Sequence, residues 1–430
     1  MKFYSIKDKS HQVSFAEAMI NGLAPDNSLY FPNEIPAFSK HFFTDMQQMT
    51  LPELAFHVLK PYVAENLSPA ALVEITEQVF DFDIPLVPVQ DSVYALELFH
   101  GPTLAFKDVG ARFLARCMQH LNKNLTARVL VATSGDTGSA VANGFLGIEG
   151  TQVVVLYPKG KVSPLQQKQF ATLGQNIKPI AINGTFDDCQ RLVKTAFSDS
   201  GINKKMNLTS ANSINVARWL PQSVYYYWAV AQVAEKAKKI VVSVPSGNLG
   251  NLSSGILAKK TGLPVDTFIA ASNQNDTLPR YLKTGKYDPM HTVQTIANAM
   301  DVGDPNNFPR LLELFHSDYK QIKQEVQSFS YPDKAIKSWI KNCYQNNQYL
   351  LDPHGATGFA SLIESKLNPD KVGIFLETAH PAKFRETVEA VIDKKITLPD
   401  RLAAFDKRSI ETDELDASYD AFKAYLLQLS

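Results

Sequence analysis

The chain has 430 residues, enough for two or three domains or for one large α/β unit. Hydrophobic residues make up 45% of it and charged residues 20%, a balance typical of a globular protein with a substantial core. The 43 basic and 43 acidic side chains cancel, which excludes a globally basic nucleic-acid binder and an acidic, solvating chain.

The neutral total hides an uneven distribution of charge along the chain. Residues 91–270 carry 19 basic and 10 acidic side chains, a net charge of +9. The segments on either side are net acidic, with 5 basic against 11 acidic side chains in residues 1–90 and 19 against 22 in residues 271–430. The positive middle segment supports a site for anions there without locating it.

Three cysteines, Cys117, Cys189 and Cys343, are few, odd in number and far apart, so they indicate no disulfide framework and favour a reducing compartment. The first residues lack the apolar run of a signal peptide, and no stretch of eighteen apolar residues occurs. The nine histidines show no metal-ligand spacing such as HExxH. We expect a cytoplasmic protein without a bound metal and without a membrane or nucleic-acid partner.

The first 93 residues are predicted to be mostly helical. Ser14 and Glu17 form a capping box at the start of SFAEAMINGL (14–23), and Ser68 with Pro69 begins the helical pattern SPAALVEITEQVF. A further helical pattern, LPELAFHVLKPYV, lies between these two.

From about residue 94, short apolar runs alternate with helical patterns. The runs are almost continuously apolar, as expected for strands buried on both faces of a parallel sheet. They are YALELF (94–99), ARVLVAT (127–133), TQVVVLYP (151–158), NIKPIAI (176–182), IVVSVP (240–245), DTFIAAS (266–272) and KVGIFLET (371–378). This alternation predicts an α/β fold, in which ligands bind at the carboxyl ends of the strands.

Lys107 lies among apolar neighbours in HGPTLAFKD, just before a helical pattern. Loss of solvation favours the neutral amine of a lysine and lowers its pKa. A neutral amine can form a Schiff base with an aldehyde or accept a proton. Taken alone, a surface lysine at a helix start is the simpler interpretation.

Two strand runs lead directly into glycine-containing turns followed by helices. VLVATSGDTGSA places Ser134 and Thr137 at a helix N-terminus, which attracts carboxylates and phosphates, although both residue types are also ordinary caps. In VVSVPSGNLGN, Gly247 and Gly250 are three residues apart, so the backbone can wrap an anion at the start of the next helix. We favour a phosphate site at this second turn.

The segment SANSINVARW clusters Asn212, Ser213 and Asn215 just before Arg218. The planar guanidinium of arginine suits phosphate or carboxylate. A capped helix start followed by a solvated arginine is the simpler interpretation of this segment alone.

Two more segments follow strand runs. Lys159 and Lys161 come after TQVVVLYP, where a solvated lysine pair is the usual interpretation. Thr378 and His380, in TAHPAKF, follow KVGIFLET and are placed to face a site at the strand end. The simpler interpretation is a turn for the threonine and a structural role for the histidine.

Taken together, HGPTLAFKD, SGDTGSA, PSGNLGN, NSIN before Arg218, and TAHPAKF stand in the order found in the threonine synthase family, which the sequence resembles. These are pyridoxal-phosphate enzymes of fold type II, in the tryptophan synthase β-like group. NGLAPDNSLYFP (21–32) also matches the family, so the resemblance covers all but about the last thirty residues. The chain departs from the family pattern at Asn27 and Ser28, where two glycines are common, and at Leu249, where an aromatic is common.

The resemblance implies two parallel-sheet α/β domains with pyridoxal 5′-phosphate between them. The large cofactor domain would comprise residues 94–109 and 221–430, and the small mobile domain residues 110–220. A mostly helical region, residues 1–93, would precede both.

The resemblance also implies a role for each candidate residue. The catalytic residues would be Lys107 and Thr137. The cofactor would be held by Lys107, Asp136, Gly247, Asn248, Leu249, Gly250, Asn251 and Thr378. The substrate would be held by Ser134, Thr137, Lys161, Asn212, Ser213, Asn215 and Arg218.

The implied reaction converts O-phospho-L-homoserine and water to L-threonine and phosphate, the last step of threonine biosynthesis, in a monomer or homodimer. One alternative is a related phospho-lyase that releases 2-oxobutyrate from the same substrate. Another is a homologue that binds the cofactor without catalysis.

Overall fold

The structure, a computed structural model, describes residues 1–121, 127–233 and 239–429. Its N-terminal region combines helices with a small antiparallel sheet of strand order β2-β1-β3. The elements are β1 (Lys2–Ser5), β2 (Gln12–Ser14), α1 (Phe15–Asn21), β3 (Tyr30–Pro32), α2 (Lys40–Asp45), α3 (Leu51–Val63) and α4 (Pro69–Val79). The predicted helices are present, but the three strands were missed because runs of three or four residues are too short to show alternation.

The predicted capping box is confirmed. The Ser14 side chain accepts a hydrogen bond from the Glu17 backbone, and the Glu17 carboxylate accepts one from Ser14 N at 2.8 Å. Ser68 caps α4, with Pro69 at the first helical position.

The middle of the chain alternates strands and helices as predicted. Its elements are β4 (Leu86–Gln90), β5 (Val93–Glu97), α5 (Lys107–Leu121), β6 (Ala127–Ala132), α6 (Asp136–Phe145), β7 (Thr151–Pro158), α7 (Pro164–Ala171), β8 (Ile177–Asn183), α8 (Phe186–Ser198), α9 (Ser200–Met206), β9 (Leu208–Ser210) and α10 (Val216–Trp219).

The remainder continues the same alternation. Its elements are α11 (Val224–Val233), β10 (Lys239–Pro245), α12 (Gly250–Lys260), β11 (Thr267–Ser272), α13 (Thr277–Thr284), α14 (Phe308–Leu314), α15 (Tyr319–Glu325), β12 (Val326–Ser330), α16 (Asp333–Asn347), α17 (Pro353–Glu364), β13 (Lys371–Glu377), α18 (Arg385–Ile392), α19 (Asp400–Asp406), β14 (Asp413–Asp416) and α20 (Tyr419–Gln428).

Two mainly parallel sheets form the body of the molecule, and the α/β fold is confirmed. One sheet has the order β12-β11-β10-β13-β5-β4, with only β4 antiparallel to its neighbour. The other has the order β14-β8-β7-β6-β9 and is parallel throughout. All seven predicted apolar runs are strands, and all six residues of β6 are buried. Burial on both faces explains why these strands read as continuous apolar runs.

The last residues of the chain lie on the second sheet. β14 pairs in parallel with β8, from Asp413 opposite Ile180 to Asp416 opposite Asn183, and α20 buries Phe422 in the core beneath that sheet. The large domain was expected to run from residue 221 to residue 430, but β14 and α20, near its C-terminal end, belong with the second sheet. The acidic strand DELD carries no apolar signal that would have placed it; the rest of the domain division stays a prediction.

The N-terminal region packs against the second sheet and α5. The rings of Phe15 and Phe113 lie 6.5 Å apart, and the Thr209 hydroxyl donates to the Met19 carbonyl at 3.4 Å. Within the described parts of the chain, no helix has the length and apolar character needed to cross a bilayer.

Candidate active site

The carboxyl ends of strands from both large sheets face a cavity of about 570 Å³. The last residues of β6, β9 and β10 and the residue after β13 line it, as expected for a ligand site in an α/β fold. Twelve of the fifteen predicted site residues line the cavity. They are Lys107, Ser134, Thr137, Asn212, Ser213, Arg218, Gly247, Asn248, Leu249, Gly250, Asn251 and Thr378.

Lys107 is the first residue of α5, and its side chain is half-buried on the cavity lining. Burial lowers the pKa of Lys107 to about 8; Asp136 opposes this shift, while Arg218 and Lys383 add to it. About a tenth of such an amine is neutral at pH 7, against a few in ten thousand for an unperturbed lysine. This depressed pKa is what a reactive amine needs, and it argues against an ordinary surface lysine.

The turn between β10 and α12 presents unsatisfied donors to the cavity. Leu249, at the N-cap of α12, is left-handed with φ 59° and makes no side-chain capping bond, so the first N–H groups of the helix lack that acceptor. The side-chain nitrogen of Asn251 is buried without a hydrogen-bond partner. A Cβ on Gly247 would lie 2.5 Å from Met300 Cα, so only glycine allows this close approach.

The side chain of Asn248 ties this turn to two other loops. Its nitrogen donates to the Ser213 hydroxyl at 2.7 Å, and its oxygen accepts from Asn306 N at 2.6 Å. The Asn307 side chain donates to the Asn248 carbonyl at 3.0 Å. Asn306 and Asn307 were not predicted, because they follow no apolar strand run and belong to no recognised motif.

Arg218 is buried, with 3% of its surface exposed, and lines the cavity. One guanidinium nitrogen donates to the Ala211 carbonyl at 2.5 Å, while Nε has no partner. Burial lowers the pKa of Arg218 to about 10. The interpretation as a solvated arginine is therefore wrong, and an unpartnered N–H in a cavity lining suits an anion.

Three predicted site residues do not line the cavity. Lys161 is exposed, and its neighbour Lys159 pairs with Glu414 at 2.6 Å. Asn215 is fully buried; its side-chain nitrogen donates to the Met19 carbonyl at 2.9 Å while its oxygen caps α10. The structure therefore does not bring Lys161 and Asn215 to the cavity, and their assignment as substrate ligands stays a prediction. Lys161 is exposed, and the Asn215 side chain is bonded to Met19, to Ser210 and to the first turn of α10.

Asp136 is the third predicted site residue that does not line the cavity. It lies behind the lining, at the start of α6. It is 4% exposed, forms an ion pair with Lys383 at 2.6 Å and accepts from the Gln166 side chain at 2.8 Å. Burial alone would raise the pKa of Asp136, but the charges of Lys383 and Lys107 outweigh it and hold the pKa well below its usual range. Asp136 is thus a buried carboxylate paired with Lys383, and its charge also acts on the candidate amine of Lys107.

Thr378 directly follows β13 and joins the lining, while His380 does not. The Thr378 carbonyl accepts from Phe106 N at 2.9 Å, which ties this strand end to the residue before Lys107. The His380 ring nitrogen accepts from Ala382 N at 3.1 Å, and burial lowers the pKa of His380 to about 4. This histidine has the structural role that was the simpler interpretation.

Three protein-family models match the chain from near its start to near its end. A model described as threonine synthase N terminus matches residues 2–80, and one described as pyridoxal-phosphate dependent enzyme matches residues 83–377. A model described as threonine synthase, C-terminal, matches residues 355–426.

Relatives with curated names agree over the full length. The chain is 45% identical to the threonine synthase of Haemophilus influenzae, with all of both chains covered. It belongs to the threonine synthase family. The crystal structure of threonine synthase from Escherichia coli matches with a TM-score of 0.96 at 43% identity, covering 100% of both chains. The pyridoxal-phosphate-bound threonine synthase from Brucella melitensis matches with a TM-score of 0.93 at 33% identity, covering 100% of this chain and 99% of that one.

The cavity residues fit the pyridoxal phosphate of threonine synthases. A phosphate needs N–H donors that the protein leaves unsatisfied, and the start of α12 and the Asn251 side chain provide them. The aldehyde needs an amine that loses its proton readily, and Lys107 lies on the same cavity.

The departures from the family pattern are conformationally compatible with the fold. Asn27 has φ 60°, a left-handed conformation that glycine adopts freely and that asparagine tolerates better than most residues. Leu249 is 3% exposed at its left-handed position, so its side chain is packed in the core.

Sequence reasoning missed Thr133, which shapes the turn before α6. Its hydroxyl accepts from Gly135 N at 2.9 Å and from Gly138 N at 2.8 Å. Gly135 has φ 144°, a conformation that side chains rarely adopt. Thr133 thereby fixes the backbone that presents Ser134 and Thr137 to the cavity; its position directly after β6 was an available signal.

Arg310 was also missed, although it braces the loop that carries Ser213. Fully buried, it donates to the carbonyls of Ser213, Ile214 and Tyr30 at 2.8 to 3.2 Å and lies 4.7 Å from the Trp219 ring centre. Burial lowers the pKa of Arg310 to about 9. Its neighbours in sequence carry no motif, so only the contacts formed in the folded chain reveal this role.

His354 is a further missed lining residue. Its Nε2 accepts from Ala299 N at 3.1 Å, which places the ring proton on Nδ1, bonded to Asp352 at 2.5 Å. The histidine thus holds the segment that includes Met300, which packs against Gly247.

Proposed function

We propose that this protein converts O-phospho-L-homoserine and water to L-threonine and phosphate with pyridoxal 5′-phosphate as cofactor. One observation carries the proposal: a single cavity joins the amine of Lys107 to two groups of unsatisfied donors, the turn at 247–251 and Arg218. Two donor groups suit two phosphates, one on the cofactor and one on the substrate.

The charges on the cavity lining favour such a doubly anionic substrate. Among the described residues, four cationic side chains line the cavity, those of Lys7, Lys107, Lys194 and Arg218. Asp301 is the one carboxylic acid among these lining residues, and burial raises its pKa to about 6. A dehydratase of free serine or threonine needs no such excess of positive charge.

The proposed cofactor contacts come from the start of α5 and from the ends of β10 and β13. Lys107 would provide the amine, the backbone N–H groups of residues 247–251 would bind the phosphate, and the Thr378 hydroxyl would bond to the ring nitrogen. When bound, pyridoxal phosphate supplies an aldehyde for the substrate amine and an electron sink for the reacting carbons. A hydroxyl does not enforce a protonated ring nitrogen as a carboxylate would, which moderates that sink.

The proposed substrate contacts all come from the smaller domain, residues 110–220, which includes α10. Arg218, Ser213 and Asn212 bind the substrate phosphate, and Ser134 and Thr137 bind the carboxylate and phosphate end. The unpartnered Nε of Arg218 supports this assignment because it is already desolvated and directed at no protein acceptor. Charge that develops on the departing phosphate is stabilised by the same guanidinium.

Lys107 moves the protons of the reaction. Its Nζ removes the proton from the α-carbon of the substrate and returns it in a later step. Water must reach the β-carbon only at the end, since earlier hydrolysis releases a keto acid. We propose that residues 110–220 close over the cavity to exclude water.

The proposed closure would bring together two parts of the cavity lining. Helix α8 contributes Phe186, Gln190 and Lys194 to the cavity lining, and the N-terminal region contributes Lys7 and Leu23. Movement of α8 toward these residues would cover the ligands.

The decisive experiment measures products. The purified full chain, loaded with pyridoxal phosphate, is given O-phospho-L-homoserine, and phosphate, threonine and 2-oxobutyrate are quantified. We expect equal amounts of phosphate and threonine. Phosphate with 2-oxobutyrate and no threonine would instead establish the phospho-lyase, and cofactor binding without any phosphate release would establish a non-catalytic homologue.

We further propose a cytoplasmic monomer or homodimer. Cys117, Cys189 and Cys343 are free and buried, which supports a reducing compartment. Sedimentation of the cofactor-loaded chain tests the oligomeric state, and a tetramer or larger species would contradict it.

A further inference from the structure

Lys383 is a fully buried lysine that the proposed chemistry has not used. It lies in a short 3-10 helix, Pro381–Phe384, within the TAHPAKF segment. Its Nζ forms an ion pair with Asp136 at 2.6 Å and donates to the Thr103 carbonyl at 2.8 Å. One ammonium therefore joins the segment after β13 to the start of α6 and to the loop before α5.

A buried ion pair is not needed for stability alone. Taking two charges out of water costs about as much as their attraction returns, and apolar side chains of similar volume often stabilise a core equally well. Asp136 directly precedes Thr137, which lines the same cavity as Lys107, and the charges of Lys107 and Asp136 each shift the pKa of the other group. The ion pair between Lys383 and Asp136 therefore acts on how firmly Lys107 holds its proton.

We propose that Lys383 is a positioning residue for the proposed reaction: by binding the Asp136 carboxylate, it keeps that carboxylate from pairing with the ammonium of Lys107. The amine of Lys107 then loses its proton near neutral pH and can react with an aldehyde. This inference rests on the proposed function, in which Lys107 is the reactive amine.

Among the described residues, Asp136 is the carboxylate whose charge acts on the pKa of Lys107. Asp108, next to Lys107 in α5, is committed to Thr103, whose N and hydroxyl donate to it at 2.8 and 2.5 Å, and burial raises the pKa of Asp108. The other charges that act on Lys107 are cationic, Arg218 from α10 and Lys383 itself. The remaining titratable groups lining the cavity are Lys7, Lys194, Asp301 and His354.

The test measures the reactivity of Lys107 in the cofactor-free full chain. Formaldehyde and a borohydride reductant label the amine at a series of pH values, and mass spectrometry of the peptide with Lys107 gives the rate. For Lys383→Met, we expect the midpoint of the rate profile to rise by at least one pH unit, which is about a tenfold slower reaction at pH 7. An unchanged midpoint would overturn the proposal.

Two matched variants distinguish an effect through the Asp136 charge from a purely structural effect of Lys383. Asp136→Asn should lower the midpoint, because Lys383 then repels the Lys107 ammonium without a balancing carboxylate. The double variant Lys383→Met, Asp136→Asn leaves no lone buried charge and should lie above Asp136→Asn and below Lys383→Met. If the two Met-containing variants shift upward equally, Lys383 acts only through structure and the proposal fails.

If Lys383→Met alone does not fold, the comparison of Asp136→Asn with the double variant still measures the effect of Lys383 on the midpoint for Lys107. Labelling requires neither cofactor nor substrate. A failure here is therefore distinguishable from a failure of the proposed reaction, which the product assay reports.

Discussion

Helices begin differently in two regions of the molecule. In the N-terminal region, the hydroxyls of Ser14, Thr50 and Ser68 accept hydrogen bonds from the backbone of the first turns of α1, α3 and α4. Beside the cavity, α6 and α12 begin at Gly135 and Leu249, which make no side-chain capping bond. The Thr133 hydroxyl accepts from Gly138 N in the first turn of α6, whereas no side chain caps the start of α12. The need of a helix for acceptors at its start is therefore met within the chain in the N-terminal region and left for a ligand at α12.

The difference in capping indicates that these helix starts serve two purposes, the stability of the fold in one region and the binding of a ligand in the other. A capped helix start contributes to folding and has fewer free N–H groups to offer a ligand. An uncapped start beside a cavity contributes less to folding but presents N–H groups and the positive end of the helix dipole to an anion. Substitutions in the two regions should therefore change different measurable quantities.

The largest effect is expected at the cavity, for Lys107→Ala. Loss of the amine removes both the cofactor attachment and the base, so kcat should fall by about 10³-fold or more. The visible absorbance of the cofactor-loaded protein should change with it. Lys320→Ala, at an exposed lysine away from the cavity, is the control and should match the unmodified protein. Substantial turnover by the Lys107 variant would remove this residue from the mechanism.

A smaller effect is expected for Gly247→Ala. The added Cβ would lie 2.5 Å from Met300 Cα, so the turn must shift, and a displacement of about 1 Å can cost about a hundredfold in binding or rate. Titration of the apoprotein with pyridoxal phosphate, followed by absorbance, gives the affinity. Gly250→Ala is the matched comparison, because its Cβ would meet nothing closer than Asn307 Nδ2 at 3.4 Å. Equal losses in the two variants would show that crowding at Met300 is not the cause.

Arg218→Ala is expected to raise KM by about a hundredfold, from the loss of about 1.5–3 kcal/mol for a charged hydrogen bond. Lys161→Ala should leave KM within about twofold, since Lys161 is exposed and lies off the cavity lining. Urea unfolding of both variants checks that Arg218→Ala acts on binding and not through loss of its bond to Ala211. A rise in KM confined to the Lys161 variant would restore the original substrate assignment.

Sequence reasoning succeeded where local signals were strong. The seven buried strands were predictable because burial on both faces produces continuous apolar runs. The strand-end turns at Ser134 and Gly247 were predictable because parallel strands bring their carboxyl ends to one edge. β9, β12 and β14 were missed because they are short or polar, and β4 because it is an edge strand with little burial.

What the sequence did not reveal depends on distant contacts. Lys383 and Arg310 gain their roles from acceptors that the fold brings to them, such as Thr103 O, 280 residues from Lys383, and Tyr30 O, 280 residues from Arg310. The position of Asn215 off the cavity lining was not foreseen for the same reason, since its hydrogen bond to Met19 appears in no local pattern.

The smallest effect is expected in the N-terminal region, for Thr50→Ala. The variant removes the hydroxyl that caps α3 and one half of its capping box with Glu53, which should lower the free energy of unfolding by about 1 kcal/mol. kcat/KM should not change, because none of the residues that line the cavity belongs to α3. Thr50→Ser, which keeps the hydroxyl, should lose less stability. If Thr50→Ala altered kcat/KM at constant fraction folded, capped helix starts would also act on the site, and the separation between the two regions would fail.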